Sequence, residues 1–198
     1  MAIPTFTIKS NGAPIDAAIQ IISIDTATAF GEPATARIAV FDGSAADQDF
    51  PISAGPTFAP GAAIAISAGY DGSEQTIFEG IVAVQRIEID PASPSKLIVE
   101  AAAADIIAPP TTMPAPVLTL TFGDNILALK ASTEETAPKE SSGDVQFQGS
   151  ALAVPGAASA LAGLGTRFNG TALIVGVQQH LAEGQWTTTA TYGPPDTV

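Results

Sequence analysis

The feature of this sequence that most restricts its fold is an alternation of apolar and polar residues with a period of two, interrupted by glycine and proline. A β-strand turns successive side chains to opposite faces, so this period is typical of strands with one buried face. Segments of this kind that are separated by turn residues predict an all-β barrel or sandwich. The predicted strands are Thr5–Lys9, Ile19–Ile24, Thr35–Phe41, Ala63–Ser67, Thr76–Ile89, Lys96–Ala101 and Val117–Gly123.

Three segments are less regular. In the first half of Thr76–Ile89 apolar residues occupy both phases, which predicts a strand half that is covered on both faces. Ala13–Ala18 fits one helical turn, and Asn125–Ala131 fits either a helix or a strand. Neither of these two segments changes the predicted class.

Composition narrows the class of protein further. The chain of 198 residues is 46% hydrophobic and only 14% charged, which excludes intrinsic disorder, because disorder requires few apolar and many charged residues. The absence of cysteine excludes disulfide scaffolds and thiolate metal sites. Because so few residues are charged, we expect part of the surface to be covered by other subunits.

The charge balance argues against polyanionic partners. With 20 acidic and 7 basic residues the net charge is −13, and the scattered basic residues form no patch for phosphates or anionic lipids. The N-terminus does not have the pattern of a signal peptide, and no run is long enough for a membrane-spanning helix. We therefore expect assembly in the cytoplasm, no nucleic-acid recognition and no stable membrane insertion.

Two segments suggest how the chain is divided. Ala108–Pro116 is rich in proline and predicts an extended linker, so that a first β-barrel covers residues 1–110 and a second covers residues 111–198. The segment 132–143 is polar and rich in charge, which predicts a flexible surface loop within the second barrel.

The two predicted domains share a weak internal repeat. In the first, Pro60-Gly61, a short strand and a glycine turn precede Phe78-Glu79-Gly80 and a long apolar strand. In the second, Pro155-Gly156, a short strand and a glycine turn precede Phe168-Asn169-Gly170 and a long apolar strand. The common order predicts a duplicated barrel unit, in which Phe168 is the buried counterpart of Phe78.

No combination of residues predicts a catalytic, cofactor or metal site. The single histidine, His180, has no nucleophile motif near it and is interpreted as structural. Gly163 and Gly165 do not form a nucleotide-binding pattern, and Trp186 is interpreted as a packing residue. The acidic residues lack a third ligand and are interpreted as solvated faces or turns. They are the pairs Asp47 and Asp49, Glu88 and Asp90, and Glu134 and Glu135, together with the isolated Asp16 and Asp25.

Several short motifs resemble, in the same order, those of the VgrG and contractile-phage baseplate hub family. The motifs that look like the first barrel of that family are Phe58-Ala59-Pro60-Gly61, Gly69-Tyr70-Asp71-Gly72 and Ile77–Val82. Those that resemble its second barrel are Phe122–Leu127, Phe147-Gln148-Gly149, Val154-Pro155-Gly156, Gly163-Leu164-Gly165, Phe168-Asn169-Gly170, Val177–His180 and Gly184–Thr188.

The resemblance implies two similar small tail-tube-like β-barrels in a chain that trimerises into a pseudo-six-fold ring. It implies a structural protein at the base of the spike of a contractile injection machine (a phage tail, a type VI secretion system or an extracellular injection system), which joins a six-fold tube to a three-fold spike. The implied partners are two further copies, a tube protein and a spike or needle protein, with no cofactor and no small-molecule substrate. Family members usually carry an inserted domain and a needle. The chain resembles a compact hub, natural or engineered, with segment 132–143 in place of that domain.

Two other classes of function stay open on the residues alone. A membrane-associated pore or an engineered ring scaffold would also use alternating strands, although one Trp and two Tyr are few for the aromatic girdles of a membrane barrel. An enzyme or ligand-binding module would require a set of chemically matched residues that the sequence does not contain. We therefore predict a structural protein and no enzyme.

Overall fold

The chain folds into two compact units of β-strands. The computed structural model describes residues 2–134 and 137–194, and nearly all of their regular structure is β, which confirms the predicted class. Unit 1 comprises the described residues up to Thr26, Ala34–Ala104 and His180–Gln185. Unit 2 comprises Ala27–Pro33, the described residues of Asp105–Gln179, and those from Trp186 onward.

The elements follow the chain in a simple order. Those in the first part are β1 (Pro4–Ser10), β2 (Ala13–Pro14), β3 (Ile21–Ala29), β4 (Pro33–Phe41), α1 (Pro51–Ala54), β5 (Ala63–Tyr70), β6 (Ser73–Asp90) and β7 (Ser93–Ile106). Those in the second part are β8 (Pro116–Thr121), β9 (Ile126–Glu134), β10 (Ala137–Gln148), β11 (Ala158–Ala162), β12 (Gly170–Ala182) and β13 (Gln185–Tyr192). The single boundary predicted at 110/111 does not describe the two units, because the long strands β3 and β12 contribute residues to both.

The two units share one strand order. Apart from the two-residue strand β2, which pairs with the end of β1, the order in unit 1 is β1-β5-β6-β7-β4-β3. In unit 2 the order is β8-β11-β12-β13-β10-β9. When the six strands of each unit are numbered in chain order, their order across the sheet is first, fourth, fifth, sixth, third and second in both units. The first pairing differs in direction, since β1 is antiparallel to β5 and β8 is parallel to β11.

Equivalent Pro-Gly turns lead into the central hairpin of each unit. The N–H of Gly61 donates to the carbonyl of Val82 at 2.8 Å, and the N–H of Val82 donates to the residue after the glycine at 2.9 Å. In unit 2 the N–H of Gly156 donates to the carbonyl of Ile174 at 2.9 Å, and the return bond is also 2.9 Å. Both glycines have a positive φ, of 91° and 93°, which glycine adopts without strain. The shared strand order and the matching turn bonds make Val82 and Ile174 equivalent positions.

The equivalence corrects one detail of the predicted repeat. Phe78, four residues before Val82, is only 3% exposed. The residue four before Ile174 is Gly170, where β12 begins, and Phe168 lies half-buried in the preceding turn. The position equivalent to Phe78 is therefore Gly170, and not Phe168. Strand β12 begins at Gly170 itself, whereas β6 already begins at Ser73, before Phe78.

In unit 2, strand β12 is covered on both faces. All of its residues from 172 to 177 are buried. Ile174 faces the main core, with Leu120, Phe147 and Tyr192, whereas Leu173 and Val175 pack with Phe30 on the opposite face. A strand that is covered on both faces needs apolar residues in both phases, which accounts for the uninterrupted apolar run of the sequence here.

Several local expectations are changed by the structure. The described residues of segment 132–143 lie in β9 and β10, where Ser132 pairs with Ser142, so the ladder satisfies backbone groups that a loop would leave to water. Glu135 and Thr136, which belong to the same predicted loop, lie outside the described residues. Ala13–Pro14 forms strand β2 in place of a helical turn, and the ambiguous segment after Asn125 is strand β9. Residues 108–115 lie outside the strands and belong to unit 2.

Candidate assembly surfaces

The residues with possible chemistry do not converge. His180 Nδ1 lies 2.5 Å from Asp25 Oδ1 in unit 1, and both side chains are about half exposed, at 54% and 42%. Ser23 Oγ donates to the other oxygen of Asp25, at 3.3 Å, and so does not contact the imidazole as a nucleophile would. The pair connects β3 with the end of β12, which agrees with the structural interpretation of His180.

The acidic pairs are each engaged locally. Asp47 accepts from Ser44 Oγ at 2.6 Å and Asp49 from the N–H of Phe50 at 2.8 Å, as in a surface turn. Glu88 binds Lys96 at 3.0 Å, and Asp90 accepts from a turn N–H at 2.7 Å. Across residues 2–134 and 137–194, no three His, Asp or Glu side chains come together in a way that would hold a metal ion. The side chains of Glu134 and Glu135 lie outside the described part of the chain.

A buried polar cluster in unit 2 was not predicted from the sequence. Gln179, which is 4% exposed, accepts from Trp186 Nε1 at 2.8 Å and from Thr188 Oγ1 at 2.5 Å. Its amide nitrogen donates to the carbonyl of Ser150 at 3.0 Å, and the N–H of Ser150 donates to Thr188 Oγ1 at 2.9 Å. Trp186 is buried as predicted, but its neighbour Gln179 had no signal beyond its place in a strand. A buried amide with three hydrogen bonds to neighbouring groups favours one register of the strands around it.

Each unit has a groove beside an end strand of its sheet. Groove 1, in unit 1, has a volume of about 180 Å³ and is lined by Pro4, Phe6, Ile21, Ile22 and the residues 181–185. Groove 2, in unit 2, has a volume of about 500 Å³ and is lined by Phe122, the residues 126–129, Gly163 and Leu164. Both linings are mainly apolar, and neither contains a set of polar groups that would orient a small molecule.

The two long hairpins of the fold differ in exposure at their tips. Tip A comprises residues 87–93, where β6 ends and β7 begins. It carries Ile87 at 44% and Ile89 at 74% exposure. Tip B, His180–Gln185 between β12 and β13, counts with unit 1, where Leu181 is only 4% exposed. The first half of β6 was predicted to be covered on both faces, yet Ile81 is 53% exposed. These large apolar side chains are exposed to solvent in the single chain.

Hairpin β6–β7 takes part in a group of ion pairs. Glu88 binds Lys96 at 3.0 Å and lies 3.9 Å from Arg37, and Arg86 binds Glu100 at 2.9 Å. These pairs are partly exposed to solvent, so each contributes little to stability.

One ionisable group has a shifted pKa. Burial raises the pKa of Tyr192 above its usual value, and the negative charge of Asp144 adds to this shift. The phenol oxygen of Tyr192 is buried and has no hydrogen-bond partner among the described residues. The hydroxyl therefore adds no stabilising interaction of its own to the core of unit 2.

Comparison with protein families places the chain in a known family. A model described as the Alg8 N-terminal domain matches residues 1–108 and 132–183, which is most of the chain. No curated protein matches. Among the described residues, no helix has the length and apolar character needed to cross a membrane.

Comparison with solved structures finds the same fold in tail proteins. A tail protein from Neisseria meningitidis MC58 has a TM-score of 0.65 and 9% identity, with 96% of each chain covered. The 43 kDa tail protein of prophage MuSo2 from Shewanella oneidensis has a TM-score of 0.62 and 8% identity, covering 96% of this chain and 97% of that one. The E. coli c3393 protein has a TM-score of 0.62 and 10% identity, covering 93% of this chain and 76% of that one. It is described as a type VI secretion component similar to the T4 bacteriophage tail proteins gp27 and gp5. The expected resemblance to tail proteins is confirmed for the fold.

Proposed function

The chain belongs to the Alg8 N-terminal domain family, and from the similarity of its fold to tail proteins we propose that it is a structural tail or baseplate protein of a contractile injection machine. We propose further that it acts as a hub of the VgrG type, forming a trimer between a six-fold tube and a three-fold spike. Its partners would be a tube protein and a spike or needle protein, and it would be assembled in the cytoplasm into the tail or injection particle. The role requires no catalysis, cofactor, nucleic acid or small-molecule substrate.

The observation that carries this proposal is the duplicated strand order within one chain. Two units with the same order, present three times around an axis, offer six similar units to a six-fold tube, while the chain itself repeats three times toward a spike. A single unit per chain would need six copies for the same match. The similarity of the fold to tail proteins over nearly the whole chain supports the same role.

The surface supports an assembly rather than an isolated chain. Large apolar side chains are exposed in both units, among them Ile3, Ile89, Phe122 and Leu127, each more than 60% accessible. A net charge of −13 on each chain would oppose association, but salt screens such repulsion beyond roughly 8–10 Å and leaves apolar burial intact. The trimer is therefore expected to persist in high salt and to loosen at low salt and high pH.

The test is the mass of the purified chain by light scattering, at about 0.01 M and about 1 M salt, where the Debye length changes from ~30 to ~3 Å. A mass of three chains at high salt, with a ring in averaged electron micrographs, is the expected result. A monomer at every concentration would reject the hub. A trimer that dissociates in high salt would show that ion pairs hold it, contrary to the apolar contacts argued above. Leakage of loaded liposomes at the same concentrations would favour the membrane pore.

A further inference from the structure

The duplicated fold contains an arrangement that unit 1 completes and unit 2 leaves open. In unit 1, the tip-B residue Leu181 lines groove 1 and is 4% exposed. In unit 2, Phe122 and Leu127 in groove 2 are 67% and 62% exposed. Groove 2 is lined by Gly163 and Leu164 from the turn between β11 and β12, and by neither tip A nor tip B.

The two grooves share residues from the equivalent strands β3 and β9. Ile21 and Ile22, in groove 1, are the first two residues of β3, and Ile126 and Leu127, in groove 2, are the first two of β9. Strands β3 and β9 hold the same place in the strand orders of their units. Each groove also contains a phenylalanine from the first strand or directly after it, Phe6 in unit 1 and Phe122 in unit 2. A segment that fits groove 1 therefore has a matching surface in groove 2.

The two hairpin tips are equivalent as well. Val82 and Ile174, which pair with the two Pro-Gly turns, both lie eight residues before the last residue of their strands, Asp90 and Ala182. Seven residues after Val82 stands Ile89, and seven residues after Ile174 stands Leu181. Ile89 is 74% exposed and Leu181 is 4% exposed. The same position thus carries a large apolar side chain in both hairpins, and in hairpin A it is uncovered.

We propose that tip A of one chain docks in groove 2 of a neighbouring copy, with Ile89 in the place that Leu181 takes in groove 1. The inference rests on the proposed trimer and specifies how its subunits join. Because the two surfaces are different parts of the chain, the contact is head-to-tail, and such contacts close into a ring when the rotation between copies allows it. Each unit of the ring would then have its groove filled by an equivalent hairpin.

The charges at equivalent positions support this occupant. In unit 1, His180 of tip B pairs with Asp25, the fifth residue of β3. The residue equivalent to His180 is Glu88, six residues after Val82, and the fifth residue of β9 is Lys130. The contact between copies would therefore place Glu88 of one copy against Lys130 of the next. The acidic residue would lie on the tip and the basic one on the strand, the reverse of His180 and Asp25. Lys130 is exposed and has no ion pair with a described residue, although Asp144 lies opposite it in the ladder.

A disulfide experiment tests this contact directly, because the chain contains no cysteine of its own. The test variant carries Ile89→Cys and Leu127→Cys, two exposed positions where a cysteine does not disturb the core. The control carries Ile89→Cys and Val154→Cys, since Val154 is also exposed in unit 2 but does not line groove 2. Both are oxidised mildly, and covalent dimers and trimers are counted on denaturing gels; the reduced proteins are weighed by light scattering.

The expected result is at least tenfold more covalent oligomer from the test variant than from the control, and almost none from chains with Ile89→Cys alone. When chains with Leu127→Cys alone are mixed and refolded with chains with Ile89→Cys alone, we expect disulfide-linked dimers that contain one chain of each kind. If the reduced protein is a trimer but the test and control variants cross-link equally, this contact is overturned and the proposed hub is left intact. A disulfide that forms within one chain has the same meaning. A reduced protein that is monomeric throughout would reject the hub and the contact together.

Discussion

The buried amide of Gln179 makes three hydrogen bonds in unit 2, and Gln179→Met is the perturbation that isolates them. Methionine has nearly the same length and volume, so the change removes the hydrogen bonds with little change in packing. Trp186 Nε1 and Thr188 Oγ1 lose their acceptor, and the carbonyl of Ser150 loses its donor.

The expected cost follows from these contacts. Net contributions of ~0.5–1.5 kcal/mol for each of the three hydrogen bonds give ~1.5–4.5 kcal/mol. Trp186 is 4% exposed, so water does not readily replace the acceptor that its indole N–H loses, which favours a cost above the lower end of that range. We expect a loss of about 3 kcal/mol in the free energy of unfolding, or ~6–12 °C in Tm for a chain of this size.

The chain provides its own reporter and its own control. Trp186 is the only tryptophan, so its fluorescence during urea unfolding reports on this cluster. Gln178→Met is the matched control, since Gln178 is the adjacent residue of the same strand and is exposed. It should change the free energy of unfolding by less than about 0.5 kcal/mol. Equal stability of the two variants would refute the argument that the buried amide holds these strands in register.

Three further predictions concern other parts of the fold. Gly149→Ala should lower the free energy of unfolding by at least about 2 kcal/mol, because a Cβ there would collide with the indole of Trp186. Gly176→Ala is the control: its Cβ would meet its nearest atom at 3.6 Å, so it should cost less in the same urea titration. Asp42→Ala should cost about 2–3 kcal/mol, since its carboxylate accepts the N–H groups of Gly43, Ile52 and Ser53 and so anchors α1; calorimetry that found no loss would contradict this. Tyr192→Phe should leave stability unchanged or slightly raised at neutral pH, because the hydroxyl has no partner. Since folding raises the pKa of Tyr192, the native chain should lose stability as the pH rises above about 10. If Tyr192→Phe loses as much stability over this range, the loss does not come from Tyr192.

Much of the fold could be predicted because its signals are local. The alternation from Thr76 to Ile89 corresponds to β6, and the two Pro-Gly pairs mark turns with the same hydrogen bonds in both units. The resemblance to tail proteins rested on these short motifs, and the fold comparison agrees with it. The match between Phe78 and Phe168 was wrong because a spacing in the sequence does not show where a strand begins.

The sequence alone determined the class of the fold, the turns and the absence of a predicted catalytic motif, because the period of side chains and the freedom of glycine act within a few residues. Only the tertiary structure decided which strands are neighbours, since pairing such as that of β4 with β7 joins distant segments. Gln178 and Gln179 show the difference most clearly. They are the same residue at adjacent positions, yet one is exposed and the other holds a buried cluster, because the register of β12 against its neighbours turns only Gln179 inward.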